Sequence, residues 1–242
     1  IGIFPDEGSQ VSFPMKEGAG TNTATFAGGD WKLKDDLTYS AYYPQVNLPN
    51  LDKTSIPITM IGQTQTGNNN SSHIFAYDYR TAIHSEADAD GNLSFTFNHL
   101  VSILHMQFMM PCAATFKYVI LETSGSFITD ATLNLTDGSI TAQDTSAIQR
   151  LLLEDVSISS TDEYLEVYMP ILPVDLSTKV LKAKIYDSED NCYSATLTSQ
   201  NYQVGTIYNI NVTAETDMSH TGVPAVVINT PNNVDITSKE EY

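Results

Sequence analysis

Between Leu93 and Met110 the chain alternates apolar and polar residues at a period of two, and midway the phase slips. Leu93, Phe95 and Phe97 alternate with Asn92, Ser94 and Thr96; after Asn98-His99, the residues Leu100, Leu104, Met106, Phe108 and Met110 occupy the other set, with Ser102 as the exception. Period two sends successive side chains to opposite faces of a strand, so a slip calls for a bulge, a bend or a short link between two strands. Leu100, Ile103, Leu104 and Phe108 also fit one face of a helix. Pro111 and the β-rich flanks favour strand.

The rest of the chain supplies more short strands set apart by turn residues. Asp90-Gly91 marks a hairpin turn before the alternating run. Leu37 to Tyr43 reads as a strand closed by Pro44, and Ile56 to Ile61 as an edge strand, because Pro57 cannot donate to a ladder. Gly62 to Ser72 reads as an exposed polar loop, and His73 to Arg80 as a strand. Further strands are expected over Phe116 to Thr123, Ala131 to Leu135, Val156 to Ile158, Tyr164 to Met169 and Thr206 to Val212. Val180 to Tyr186 and Cys192 to Leu197 make a hairpin around a polar turn, and Ser146 to Glu154 is the one stretch with modest helical character.

This spacing argues for an all-β protein of one or two sandwiches, and 242 residues suffice for either. A division near Gly138 gives residues 1–138 and 139–222 as two units, with 223–242 an appended strand or the opening of a further module.

Charge and composition remove several function classes. Eleven Lys and Arg against twenty-nine Asp and Glu leave a net charge of -18, and the bases are not clustered in sequence, so nucleic acid is excluded as a partner. Cys112 and Cys192 can pair or stay free. No apolar run is long enough to span a bilayer and no secretory signal opens the chain; the texture, rich in Thr, Ser, Asn and Tyr, suits an exported β-protein.

Few residues form a pattern that chemistry would need. Glu86, Asp88 and Asp90 before Gly91 resemble half of a calcium loop, but Phe97 stands where the closing carboxylate belongs, so they read as a solvated hairpin loop. His99 and His105, six apart, would sit roughly 20 Å apart on one strand face. That is too far for one metal, and no HExxH or Gly-x-Ser-x-Gly pattern occurs. Ala27-Gly28-Gly29-Asp30 offers an acid where a phosphate loop needs Lys. No catalytic residue and no cofactor are assigned. Tyr42, Tyr43, Tyr77 and Tyr79, if exposed as a flat cluster, would make a glycan platform.

Ordered pieces of this sequence resemble the fimbrillin-like surface proteins of Bacteroidetes. Phe95-x-Phe97-x-His99-Leu100 resembles their F-x-H segment, Phe26-Ala27-Gly28-Gly29-Asp30 with Tyr39 their early stretch, Val167 to Pro173 their LP turn, and Gly205-Thr206-Ile207-Tyr208 to Val212 their closing strand. The resemblance implies two transthyretin-like Greek-key β-sandwich domains in series, with Phe95, Phe97, His99, Leu100 and Tyr208 as architectural residues. It also implies an exported lipoprotein at the outer-membrane surface or in a fimbrium, acting as a pilus subunit or as an accessory or anchoring adhesin.

Partners would be other fimbrial or surface proteins joined by β-strand addition, through Gln10-Val11-Ser12-Phe13 or Ala225-Val226-Val227-Ile228. The signal and lipobox cysteine of such precursors are not in this chain, and the expectation is that they left with the precursor. The tail resembles the start of a further module more than a pilin donor strand, which favours the accessory or anchoring role. The alternative is a glycan-binding module of a multidomain surface protein, with a host or dietary glycan or protein as ligand.

Overall fold

The computed structural model describes residues 1–18, 21, 23–27, 33–34, 37–88 and 92–217. Their strands are β1 (Gly2–Pro5), β2 (Val11–Ser12), β3 (Met15–Glu17), β4 (Thr25–Phe26), β5 (Thr38–Tyr43), β6 (Ile56–Thr59), β7 (Gln63–Thr66), β8 (Arg80–Glu86), β9 (Asn98–His99) and β10 (Ser102–Met109). There follow β11 (Ala114–Asn134), β12 (Ser139–Ile158), β13 (Tyr164–Ile171), β14 (Val174–Asp175), β15 (Leu181–Asp187), β16 (Cys192–Thr196), β17 (Asn201–Tyr202), β18 (Ile207–Thr213) and β19 (Glu215–Thr216). β2-β1-β5-β8-β9 form one sheet and β13-β10-β18 a second; β19-β16-β15-β11-β12-β7, with β6 beside β11, form a third. The fold is all-β with several sheets.

The phase slip is where the chain changes sheets. β9 pairs with β8 in the five-stranded sheet, while β10, three residues on, is the centre of the three-stranded sheet. On β10 the side chains of Leu104, Met106 and Phe108 are fully buried, each contributing about 2–3 kcal/mol of burial. Ser102, the break in the apolar pattern, is buried too. Its hydroxyl donates to the Gln203 carbonyl at 2.9 Å, which removes the penalty of burying it. Before the slip, Leu93, Phe95 and Phe97 are half-buried between exposed neighbours, but this run is extended chain outside any ladder, apart from one bridge between Ala87 and Leu93.

β11 and β12 form a long hairpin that serves two cores. The first two thirds of β11 send Phe116, Val119, Leu121 and Phe127 into the large core with Leu104, Phe108 and Val167. Its last residues put Ala131 and Leu133 into a second core with Ile56, Ile58, Met60 and Tyr79. The expected boundary at Gly138 therefore falls in the turn of this hairpin, where Gly138 takes φ +74°, and pairing continues on both sides of it. It does not separate two sheets.

Three local expectations are corrected. Ser146 to Glu154 lies inside β12, not in a helix: Leu151 and Leu153 are buried and Leu152 is exposed, because β11 and β7 pair with it from either side and override the helical preference of leucine. His73 to Arg80 begins inside a 3-10 helix, Ser72–Ala76, and becomes strand only at Arg80. The Ser72 N–H donates to Asn70 Oδ1 and the Tyr77 and Asp78 N–H groups to the Ile74 carbonyl, local bonds that displace a ladder. Gln63 to Thr66, read as loop, is the strand β7, parallel to β12, with Gln63 and Gln65 buried. β6 with Pro57, the hairpin β15–β16 and the strand β18 lie where the sequence predicted them.

Candidate functional site

The two histidines of the apolar stretch occupy different sheets and different ion pairs. His99 donates from Nδ1 to Asp78 Oδ1 at 2.6 Å; the same carboxylate, almost wholly buried, accepts from Arg80 Nε at 2.8 Å and from Arg80 Nη2. Since Arg80 faces His99 across the β8–β9 pair, this cluster ties the end of the first sheet together just before the chain crosses to the next. His105 stacks on the Tyr168 ring at 4.4 Å, with Nδ1 2.9 Å from Asn209 Oδ1 and Nε2 3.1 Å from Glu166 Oε2. It joins β13, β10 and β18 side by side.

No group of three His, Cys, Asp or Glu among the described residues could hold a metal ion. Asp88 instead closes its loop, accepting from the Asn92 N–H at 2.8 Å and side-chain amide at 3.2 Å. Glu86 ends β8, and Asp90 lies outside the described residues.

The remaining family-motif residues make packing or hydrogen-bond contacts within the fold. Phe95 and Phe97, their ring centroids 5.9 Å apart, pack on the small core of Ile3, Phe13, Tyr39 and Ala41. Leu100 is buried and donates its N–H to the Tyr79 carbonyl. Tyr208 meets the Tyr202 ring edge-on at 4.9 Å, and its hydroxyl accepts from the Gln203 N–H at 2.8 Å.

The tyrosines do not form a platform. Tyr42 is 1% and Tyr79 7% exposed, which corrects the expectation of a flat cluster with Tyr43 and Tyr77. Each buried phenol is satisfied: Tyr42 by Gln10 and Val46, Tyr79 by the Thr59 backbone. Cys112 and Cys192 are free thiols. Cys112 contacts the Tyr193 hydroxyl, and Tyr193 and Cys192 are consecutive on β16, so the two sulfurs lie on opposite faces of that strand.

The edges of the sheets hold the geometry most relevant to recognition. β13 is the outer strand of the three-stranded sheet, yet its outward backbone is occupied by side chains. Gln65 accepts the Tyr168 N–H at 2.9 Å and donates to the Glu166 carbonyl at 2.8 Å; Asn68 accepts the Glu166 N–H at 2.8 Å and donates to the Tyr164 carbonyl at 2.9 Å. Gln63 donates to the Pro170 carbonyl at 2.8 Å and His73 Nε2 to the Tyr168 carbonyl at 2.9 Å. Primary amides carry both a donor and an acceptor, so alternate Gln and Asn side chains stand in for a missing strand. The sequence carried this signal as Gln63-Thr64-Gln65-Thr66, read only as polar loop.

β18, at the opposite edge, pairs only with β10 among the described residues, and no side chain is bonded to its outward backbone there. Its seven residues, IYNINVT, include no charge and no proline, and Tyr208 and Val212 on its inner face are only partly covered. A shallow groove beside it is lined by Lys182, Ser194, Thr196, Val212, Thr213 and Glu215. Gln10 to Phe13 holds a second, shorter edge as β2, with Phe13 buried and Ser12 bonded to Gln45 at 2.7 Å. Ala225 to Ile228 lies outside the described residues.

The fimbrillin-like family model matches residues 5–234. Two solved structures have a similar fold, each described as a "putative cell adhesion protein". The one from Bacteroides uniformis ATCC 8492 has a TM-score of 0.57 at 15% identity, covering 89% of this chain and 90% of its own. The other, from Bacteroides ovatus ATCC 8483, has a TM-score of 0.55 at 18% identity, covering 81% and 74%. None of the curated proteins matches the sequence. With its β-sheet framework and a family match over nearly the whole length, the chain belongs to the fimbrillin-like family of non-enzymatic surface proteins of Bacteroidetes.

Proposed function

We propose that this chain is a fimbrial subunit or an accessory, anchoring adhesin at the outer-membrane surface, and that it joins other fimbrial or surface proteins by β-strand addition at the open edge of β18. The observation that carries this reading is the contrast between the two edges of one sheet. β13 is sealed by four side chains, whereas β18 combines edge groups without a partner among the described residues, no charged residue and a half-covered apolar face. Natural edge strands are usually blunted by charge, proline or a bulge, and an edge left regular is a template for another strand.

The two cores fit a reading as two transthyretin-like sandwiches that share the β11–β12 hairpin. In that reading the first holds residues 1–101 together with the hairpin tip, and the second takes the remainder to 217. Residues 223–242 stay assigned to an appended strand or further module, with Ala225 to Ile228 and the β2 edge at Gln10 to Phe13 as alternative segments for exchange.

Hydrogen exchange on the chain in the sheared surface fraction of expressing cells, against the isolated chain, tests the proposal. Slowed exchange over residues 207–213 in the surface fraction is the expected result. Equal exchange in both forms, or absence of the chain from that fraction, would refute it.

A further inference from the structure

One face of the three-stranded sheet fills the large core, where Leu104, Met106, Phe108, Leu165, Val167 and Ile210 point inward. Their neighbours in sequence therefore point out. Register sets Tyr168, His105 and Asn209 abreast on β13, β10 and β18, with Glu166, Gln107 and Asn211 in the next row. Asn209 and Asn211 are exposed and the other four are half-buried. Ile103 beside Ile207 closes one end of this outer face, and Met109 beside Tyr164 the other.

The central rows are held in place by their own contacts. The Tyr168 ring lies 3° from parallel with the His105 imidazole, and its hydroxyl donates to Asn69 Oδ1 at 2.7 Å. His105 in turn is fixed between Asn209 and Glu166. Side chains already held in one geometry lose less entropy when a ligand arrives. Polar capacity is nevertheless left over. The Gln107 and Asn211 side-chain amides make no hydrogen bond among the described residues, Glu166 Oε1 accepts none there, and Asn209 uses only its oxygen.

Charge decides which ligand class fits. Glu166 is the only carboxylate at the outward positions of the three strands, it is paired with His105, and no Lys or Arg stands there. An acidic polysaccharide meets no free counter-charge on this face and is repelled by a chain of net charge -18. A basic partner finds a single carboxylate that already has a partner. A protein partner needs a desolvated apolar centre, whereas the apolar residues of this face lie at its ends. A neutral polyol matches what is there. Each sugar hydroxyl both donates and accepts, as Asn and Gln amides do, and the half-buried rings of Tyr164 and Tyr168 add amphipathic surface. From Ile103 to Met109 the face runs about 20 Å, which suits an oligosaccharide better than a single sugar.

We infer that the outer face of the β13–β10–β18 sheet binds a neutral polysaccharide, with the Gln107, Asn209 and Asn211 amides and the Glu166 carboxylate reading its hydroxyls. This site is separate from strand addition, which uses the edge of β18 and not its outer face.

Biolayer interferometry tests it with immobilised laminarin, mannan, xyloglucan and dextran as neutral probes and alginate and heparin as acidic ones. At least one neutral probe is expected to bind, and neither acidic one. Gln107→Ala combined with Asn211→Ala removes two outward amides without touching the core, and should weaken that binding about tenfold with melting unchanged by circular dichroism. In amide NMR spectra of the wild type, an oligosaccharide cut from the bound probe should shift the side-chain signals of Gln107, Asn209 and Asn211. Those of Gln63 and Gln65, on the sealed edge, should stay in place. Binding of acidic probes alone, no binding of any probe, full affinity in the double variant, or shifts confined to other residues would each overturn the inference.

Discussion

β13 and β18 flank the same central strand and are of similar length, but among the described residues one edge is closed and the other open. β13 receives Gln63, Gln65, Asn68 and His73 from a polar stretch more than 90 residues earlier, so its outward amides and carbonyls are paired without a neighbouring strand. β18 receives no such cover among the described residues. A sheet edge is therefore not defined by its own sequence: YLEVYMPI carries one charge and IYNINVT none, and what separates them is whether other side chains reach them. In the proposed reading, the amide ladder on the sealed side removes one competing template for strand addition.

The largest effect is expected at the seal. Gln65→Leu keeps the size of the side chain and removes both hydrogen bonds to β13, leaving the Tyr168 N–H without its partner. With Gln65 wholly buried, urea denaturation should show a loss of about 3 kcal/mol. The same variant should speed hydrogen exchange on β13; unchanged exchange there would break the contrast between the edges. His99→Ala comes next. It strips one partner from the buried Asp78 carboxylate while Arg80 remains, and as His99 is itself well exposed, about 1 kcal/mol is expected in the same assay.

A pH effect sharpens the role of His73. Burial holds its pKa below the ordinary 6.5, opposed by backbone hydrogen bonds at Tyr168 and Asn70. The unfolded chain therefore takes up this proton at higher pH than the folded one, so the stability due to neutral His73 is complete above pH 6.5 and declines as pH falls through it. Replacement by Gln keeps a donor and removes the titration. The stability difference between wild type and His73→Gln should shrink on acidification from pH 8 to 5, and a difference independent of pH would exclude His73 as the source. The smallest effect on the fold belongs to the open edge. Ile207→Lys, at a side chain 58% exposed, should change stability by less than about 0.5 kcal/mol. It should nevertheless abolish the exchange protection of β18 in surface assemblies, because a charge blunts an edge.

Much of the framework was legible before folding was seen. The β10 alternation, the phase slip, the edge strand at Pro57 and the β15–β16 hairpin all rest on local rules: period two, turn chemistry and the missing N–H of proline. The misreadings share a cause as well. Ser146 to Glu154 looked helical and Gln63 to Thr66 looked like loop because each becomes a strand only through partners distant in sequence. Tyr42 and Tyr79 looked available for ligands because burial is not written in residue type.

The sequence by itself determined an acidic all-β chain of one family, since periodicity, turns and net charge are local or additive properties. Only the tertiary structure decided which sheet edge is sealed, that one hairpin serves two cores, and that His105, Glu166 and Asn209 share a face. Those follow from strand pairing, and pairing brings side chains together by register instead of by position along the chain.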